Sequence, residues 1–233
     1  MVGRPKRTKL PEIVEAATRV FARTSYRNTQ MADIAREMGV APGTLYLYVE
    51  SKEALFDLVV RHSVAANVEP PQPASLPVKT PRANATIDYL RGVLEREGQW
   101  PVLAAAIDRA RVDDPAAELE AIVVELAELM RDHQWGLLVL ARSALDWPEM
   151  TLLFLGELRR RLLADLTRYV ARRMASGQLR PVRDSAYAAA FIHEAIATWM
   201  LLRHNDPVYG SLSEDIVRAT LVDALVHAFV KGA

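Results

Sequence analysis

Apolar residues recur along most of the chain at intervals of three and four positions, which is the spacing of one face of an α-helix. The pattern predicts a first helix that begins near Leu10, with Pro11 in its first turn, and ends near Ser25. A second helix is predicted after Thr29, a typical N-cap residue. Gly39 ends this helix, because glycine accepts the left-handed conformation that a helix C-terminus needs.

Two further short helices follow in the same region. Pro42 suits the first turn of a third helix, which reads PGTLYLY and has room for about two turns. Ser51 is then the expected N-cap of a fourth helix. The stretch Asn67–Asn84 is rich in proline and indicates a linker or loop. The sequence therefore predicts two domains, residues 1–66 and residues 67–233.

Long helical patterns fill the second domain. No alternating strand pattern, internal repeat or glycine-rich phosphate loop interrupts them. The predicted fold class is all-α, with a three-helix N-terminal head and a larger helical C-terminal domain. The predicted helices of that domain are Pro81–Glu97, Trp100–Arg111, Pro115–His133, Gln134–Leu145, Pro148–Ser176, Asp184–His204 and Ser213–Val230.

Composition narrows the function classes. The chain has no cysteine, which excludes disulfides and thiolate chemistry and favours the cytoplasm as its compartment. No apolar run is long enough for a membrane span, and the N-terminus lacks the apolar core of a secretory signal. The five histidines show no metal-ligand spacing with a third partner. We therefore expect no metal, no cofactor and no enzyme activity.

Charge is unevenly distributed although the net charge is zero. Up to His62 the chain holds ten Lys and Arg against seven Asp and Glu, and the remainder holds 19 against 22. The first nine residues carry Arg4, Lys6, Arg7 and Lys9 without an acid. A basic arm on a mildly basic head predicts a polyanion as the partner of this end.

The two short helices joined by Gly39-Val40-Ala41 have the outline of a helix-turn-helix, in which the second helix enters the DNA major groove. In that geometry Gly43 permits close approach of the backbone, and Thr44 can contact a base. Leu45 is expected to pack inward, while hydroxyl groups and a cation reach phosphates. The predicted DNA-binding residues are Thr29, Ala41, Pro42, Gly43, Thr44, Tyr46, Tyr48 and Lys52, with Arg4, Lys6 and Arg7 of the arm.

At these positions the sequence resembles the TetR family of bacterial transcriptional regulators. The matching residues are Thr29, Ile34, Ala35, Gly39, Val40, Gly43, Thr44, Leu45, Tyr46, Tyr48, Ser51, Lys52, Glu53 and Leu55. The sequence departs from the family pattern at Met38, Ala41 and Val49. It also departs at Ser25, where a glycine often ends the first helix. The resemblance implies a homodimer that binds double-stranded operator DNA, and a variable C-terminal domain whose small-molecule effector releases the operator.

Two features of the C-terminal domain agree with that implication. The helices Asp184–His204 and Ser213–Val230 are apolar nearly all round, which indicates that each has a second face covered by another subunit. The helices between them and the head exceed what dimerisation needs, and they carry large apolar side chains suited to a hydrophobic effector. The candidate pocket residues are Trp100, Trp135, Trp147, Met150, Phe154, His193 and Trp199.

Several alternatives remain open from the sequence. The tryptophans suit a packed core as well as a cavity, and His193 with Glu194 suits a satisfied core or interface pair as well as a pocket contact. The motif GRPKR can attract phosphates or insert into an A·T minor groove. The leading function is a ligand-responsive DNA-binding regulator, expected to be a repressor. The alternative is a helix-turn-helix architectural or interaction protein without an effector.

Overall fold

The computed structural model describes residues 10–64, 75–205 and 208–232. Their regular structure is helical, apart from two isolated β-bridges, so the all-α prediction is confirmed. A π-helical segment, Leu152–Arg159, joins α9 to α10, and a 3-10 turn, Leu202–Asn205, follows α11. The α-helices are α1 (Leu10–Thr24), α2 (Met31–Glu37), α3 (Pro42–Leu45), α4 (Lys52–Ser63), α5 (Ala85–Glu97), α6 (Pro101–Asp108), α7 (Pro115–Asp132), α8 (Gln134–Ser143), α9 (Pro148–Thr151), α10 (Arg160–Ala175), α11 (Ser185–Met200) and α12 (Glu214–Phe229).

The chain forms two compact units. The first unit comprises residues 1–97 and 135–155, so that most of α8 and all of α9 pack with the N-terminal helices. The second unit comprises residues 98–134 and 156–233. The predicted domain boundary after residue 66 falls outside the described residues and stays a prediction.

The first unit is organised around α1, which contacts both α2 and α4. Phe21 of α1 is fully buried and meets Phe56 of α4 edge-on, with ring centroids 5.2 Å apart. At the rim, Arg19 and Arg23 of α1 both bind the carboxylate of Glu37, the last residue of α2, at 3.0 Å and 2.6 Å. These two ion pairs lower the pKa of Glu37, with the Arg23 bond as the largest cause. Aromatic packing thus fixes α4 against α1, and the two ion pairs fix α2 against α1.

The second unit is built from α6, α7, α10, α11 and α12. Its core contains a buried ion pair between Arg173 and Glu118. The Nε and one Nη of Arg173 donate to the two carboxylate oxygens of Glu118, at 2.6 Å and 2.9 Å. The same guanidinium donates to the carbonyl oxygens of Ala106 and Arg109. Because four acceptors surround it, this buried charge is satisfied, and it ties the end of α10 to α6 and α7.

The prediction of Thr29 as the N-cap of α2 is wrong by one residue. Gln30 is the N-cap, and its backbone N–H donates to the carboxylate of Asp33 at 2.8 Å. The hydroxyl of Thr29 instead donates to the carbonyl oxygen of Ser25 at 2.6 Å, which closes the loop between α1 and α2. A hydroxyl that can serve the preceding turn competes with capping of the following helix.

The remaining predicted helices are present, and most are shorter than predicted. The fifth begins at Ala85 rather than Pro81, because Asn84 takes a left-handed φ of 65° just before it. The long predicted helix Pro148–Ser176 is divided into α9, the π-helical segment and α10. Among the described residues, no helix is both long and apolar enough to span a membrane.

Candidate nucleic-acid interface

The helix-turn-helix consists of α2, a tight turn and α3. Gly39 has a left-handed φ of 65°, as its predicted C-terminal position requires. The N–H of Val40 then donates to the carbonyl oxygen of Ala35 at 3.0 Å, which closes the end of α2. Ala35 and Leu45 are both buried, so the inward packing predicted for Leu45 is confirmed. One apolar side of α3 is therefore fixed, and the opposite side remains in solvent.

The solvent side of α3 and of the turn after it carries large side chains. Leu47 is 64% exposed, and Tyr46 is also exposed. Ala41, Pro42 and Gly43 lie on the same exposed stretch, while Thr44 and Tyr48 are half-buried. An exposed leucine beside an exposed tyrosine presents apolar surface that is unfavourable in water and suited to contact with bases and sugars. Sequence reasoning missed Leu47, although alternation with buried Leu45 and Val49 was a signal for its outward direction.

Gly43 has no structural need to be glycine. Its φ is not left-handed, and a Cβ built on it meets no other atom within 4 Å. A side chain would therefore fit in the isolated protein, and alanine would strengthen the helix. The absence of a side chain matters only if another molecule approaches α3 closely at this point.

Lys52 is directed into the protein rather than toward solvent. Its ammonium group donates to the carbonyl oxygens of Tyr26 and Thr29, each at 2.9 Å, and lies 4.6 Å from the centroid of the Tyr26 ring. Burial lowers the pKa of this ammonium. The group therefore holds the loop between α1 and α2, and its predicted phosphate contact stays a prediction.

The other predicted DNA-binding residues are Thr29 and those of the N-terminal arm. Thr29 is 1% exposed, and its hydroxyl is engaged with the Ser25 carbonyl and the Thr24 hydroxyl. This geometry gives Thr29 a role in packing the loop, and its predicted DNA contact stays a prediction. The arm residues Arg4, Lys6 and Arg7 lie outside the described residues.

A short segment within the predicted linker packs against the turn that follows α3. The N–H of Val78 donates to the carbonyl oxygen of Tyr48 at 2.8 Å, and the N–H of Glu50 donates back to the Val78 carbonyl at 2.9 Å. Lys79, next in the chain, is exposed and pairs with Glu50 at 2.5 Å. The structure thus brings an additional cation beside α3 that sequence reasoning assigned to a linker.

The predicted pocket residues divide between the two units. In the first unit Met150 is fully buried, Trp135 is exposed and Phe154 is half-buried. Trp147 packs against Tyr26, with ring centroids 4.9 Å apart, and so belongs to the packing of the head. The pocket role predicted for these side chains stays a prediction.

In the second unit the three predicted residues have partners of their own. The indole N–H of buried Trp100 donates to Asp165 at 2.7 Å. His193 is buried, with its Nδ1 3.0 Å from the Glu194 carboxylate, and burial lowers its pKa. The ring of Trp199 meets Tyr209 edge-on at 5.4 Å. Trp100 and His193 thus suit the satisfied-core interpretation, and the pocket stays a prediction.

The head of the chain matches a known protein family. Residues 13–59, from α1 to α4, match the model of the bacterial regulatory proteins, tetR family. The match covers about a fifth of the chain, and its head is similar to the proteins of that family. The match covers the elements described above: the bracing helix, the helix-turn-helix and the helix that begins at Lys52.

Among curated proteins, this chain is similar to the fatty acid metabolism regulator protein of Bacillus subtilis (strain 168). The two are 36% identical over 64 residues, which is 28% of this chain and 33% of the relative. The match therefore spans about a third of that relative's length.

Solved structures extend the similarity to the whole fold. The ketosteroid transcriptional regulator KstR2 of Mycobacterium tuberculosis matches over 99% of this chain and all of its own, with a TM-score of 0.56 and 16% identity. The fatty acid degradation regulator FadR from Bacillus halodurans matches over 96% of this chain and 97% of its own, with a TM-score of 0.50 and 16% identity. At this identity the two structures show a shared fold.

Gly43 provides a test of close approach to DNA. We expect Gly43→Ala to keep or slightly raise the thermal stability, because alanine favours a helix and meets no other atom. We expect its affinity for a cognate DNA site to fall about tenfold, equivalent to about 1.4 kcal/mol. Fluorescence anisotropy with labelled DNA, beside a thermal melt, measures both.

Gly92→Ala in α5 is the matched control, since it makes the same chemical change in a helix with no left-handed φ. It should leave DNA affinity unchanged. Wild-type affinity in Gly43→Ala would show that DNA does not approach the α3 backbone closely.

Proposed function

We propose that this protein is a cytoplasmic, ligand-responsive transcriptional regulator of the TetR family. It would bind a palindromic operator as a homodimer and repress nearby genes. The observation that carries the proposal is the exposed side of α3. Leu47 and Tyr46 stand in solvent beside Gly43, which has open space around it, on a helix whose other side is anchored by buried Leu45. This is the arrangement by which a recognition helix meets base edges.

The dimer is supported by an exposed apolar surface on α11 and α12. Phe191 is 61% exposed, and Tyr187, one turn before it on the same side of α11, is also exposed. Ile216 of α12 is exposed in the same unit, and the ring of Phe229 of α12 lies 6.2 Å from that of Phe191. Adjacent helices with large apolar groups in solvent mark a protein–protein surface. A second copy of the same surface would cover it around a twofold axis.

The dimer also explains how a small recognition helix can bind tightly. Two heads on one particle turn the second binding event into an intramolecular one, which raises affinity by about 100-fold or more. Twofold symmetry of the protein then requires two related half-sites in the DNA.

A substitution within the apolar surface tests dimer and operator together. We expect wild-type protein to sediment at about 52 kDa, twice the 26.0 kDa of the chain. Selection from a random DNA pool should enrich an inverted repeat. Phe191→Glu should sediment as a monomer, because it places a charge in the dimer core, and should bind the repeat about 100-fold more weakly.

Leu145→Glu is the matched control, because Leu145 is 74% exposed but lies in the other unit. It should remain dimeric and bind as the wild type does. A monomeric wild type that binds an inverted repeat tightly would contradict the dimer, and a wild type that enriches no DNA would contradict the function.

For the effector, we propose a hydrophobic compound bound by the C-terminal domain. Three considerations support this choice: the number of large apolar residues beyond the head, the family's mode of action, and the similarity to a fatty acid metabolism regulator. The effector must prefer a spacing of the heads that does not match successive major grooves, since only differential binding shifts an equilibrium.

The mutual effect of operator and effector on each other's affinity tests whether a compound is the effector. Tryptophan fluorescence can be titrated with a long-chain fatty acid, its coenzyme A thioester and a steroid ketone, each with and without operator DNA. A true inducer should bind more weakly in the presence of operator, by the same factor by which it weakens operator binding. Equal affinity in both titrations would exclude that compound as inducer. A protein that binds DNA but no compound of the panel would favour the architectural alternative.

A further inference from the structure

The loop that leads into the helix-turn-helix is held by a segment far along the chain. Ser25 directly follows α1, and its hydroxyl donates to Oδ2 of Asp146, which lies between α8 and α9. The side-chain amide of Asn28 donates to the same oxygen at 2.8 Å. The backbone N–H of Tyr26 donates to the hydroxyl of Ser143 at 3.3 Å. All of these residues belong to the first unit.

Trp147 adds an aromatic contact to these hydrogen bonds. Its ring centroid lies 4.9 Å from that of Tyr26 and 5.6 Å from that of Phe56. The rings of Tyr26 and Phe56 are themselves 4.7 Å apart, and Phe56 meets the core residue Phe21. Trp147 therefore closes a cluster that reaches from the loop into the centre of the head.

The other end of α8 contacts the head as well. A Cβ on Gly136 would lie 2.4 Å from the carbonyl oxygen of Ser63, the last residue of α4. Only glycine permits this approach of helix to backbone. The segment 135–155 thus contacts the head at two places, the end of α4 and the loop before α2.

Ser25 is an unusual residue for its position. Its φ of 79° is left-handed, a conformation that glycine adopts freely and that other residues adopt at a cost. Glycine could take this backbone shape but could not donate to Asp146. The Ser25 hydroxyl also accepts hydrogen bonds from the backbone N–H of Asn28 at 3.4 Å and from its side-chain amide at 3.1 Å. Ser25 thus makes three side-chain hydrogen bonds that glycine could not make at this backbone conformation.

Asp146 carries one satisfied and one unsatisfied carboxylate oxygen at this contact. Its Oδ2 accepts two hydrogen bonds, but its Oδ1 is buried and has no hydrogen-bond partner in the described structure. A buried carboxylate oxygen without a partner is costly and asks for an explanation other than packing. The carboxylate fits a role in which the contact must hold the loop and also be released.

We propose that Ser25, Asp146 and Trp147 form a control contact, in which Asp146 and Trp147 are positioning residues for the DNA-binding head. The contact fixes the loop before α2 and so the direction in which α3 is presented. Because Asp146 and Trp147 lie between α8 and α9, a change in the C-terminal part of the chain that moves this segment loosens the head. This inference rests on the proposed DNA-binding function, and concerns how that function is regulated.

Ser25→Gly is the decisive variant, because it removes the hydroxyl while relieving the backbone conformation. We expect its thermal stability to change little, because relief of the left-handed backbone offsets the hydrogen bonds that are lost. We expect the amides of residues 26–30 in the full-length dimer to exchange hydrogen about tenfold faster than in the wild type. Affinity for the selected operator should fall about fivefold to tenfold, with an unchanged salt slope, because no phosphate contact is lost.

Asp146 variants complete the cycle. Asp146→Ala should reproduce both effects, and the double variant Ser25→Gly/Asp146→Ala should be no worse than either single one, because the two side chains act through one contact. Asp146→Asn retains an oxygen acceptor and should remain close to the wild type. Glu149→Ala removes the same charge from an exposed side chain of α9 and should change neither exchange nor affinity.

The outcomes separate this inference from the proposed function. Faster exchange without any loss of operator affinity would overturn the positioning role, and wild-type exchange in Ser25→Gly would overturn the control contact itself. Failure of the wild type to enrich any DNA would overturn the proposed function and, with it, the regulatory role of the contact, whereas hydrogen exchange would still report whether the contact holds the loop.

Discussion

The position of α3 depends on the burial of one side of a very short helix. A helix of this length has no stability of its own, so its shape and direction come from tertiary packing. Leu45 and Val49 supply the buried side, and the opposite side can then carry Tyr46 and Leu47 in solvent. The proposed DNA-binding surface thus depends on the core, because buried neighbours hold each exposed residue of this region in place.

Much of this local structure could be predicted because its signals are local. Gly39 ends a helix and Pro42 begins one through the backbone preferences of those residues alone, and both positions are as predicted. The course of the chain around Ser25 was harder to predict from the sequence. The sequence identified Ser25 as a departure from the family pattern, but its partner Asp146 is 121 residues away. No periodicity or spacing links the two residues.

Long-range contacts account for the other differences as well. Lys52 at the start of a helix beside a DNA-reading motif suggests a phosphate contact, yet its ammonium satisfies carbonyl oxygens of the preceding loop. The segment at Val78 was assigned to a linker because of its prolines, yet its backbone pairs with Tyr48 and Glu50. The tryptophans raise a related difficulty, because the same side chain suits a core and a cavity. Trp100 and Trp147 show packing partners that the sequence could not specify.

The central proposal is that the exposed side of α3 meets DNA bases, while its buried side packs in the head. Replacement of Leu47 by the photoreactive residue p-benzoylphenylalanine tests this directly, with the same replacement at exposed Leu145 as control. Irradiation of the operator complex should cross-link the Leu47 variant to bases within each half-site and leave the Leu145 variant uncross-linked. A Leu47 variant that binds operator normally but forms no cross-link to DNA would contradict the assignment of α3 as the recognition helix.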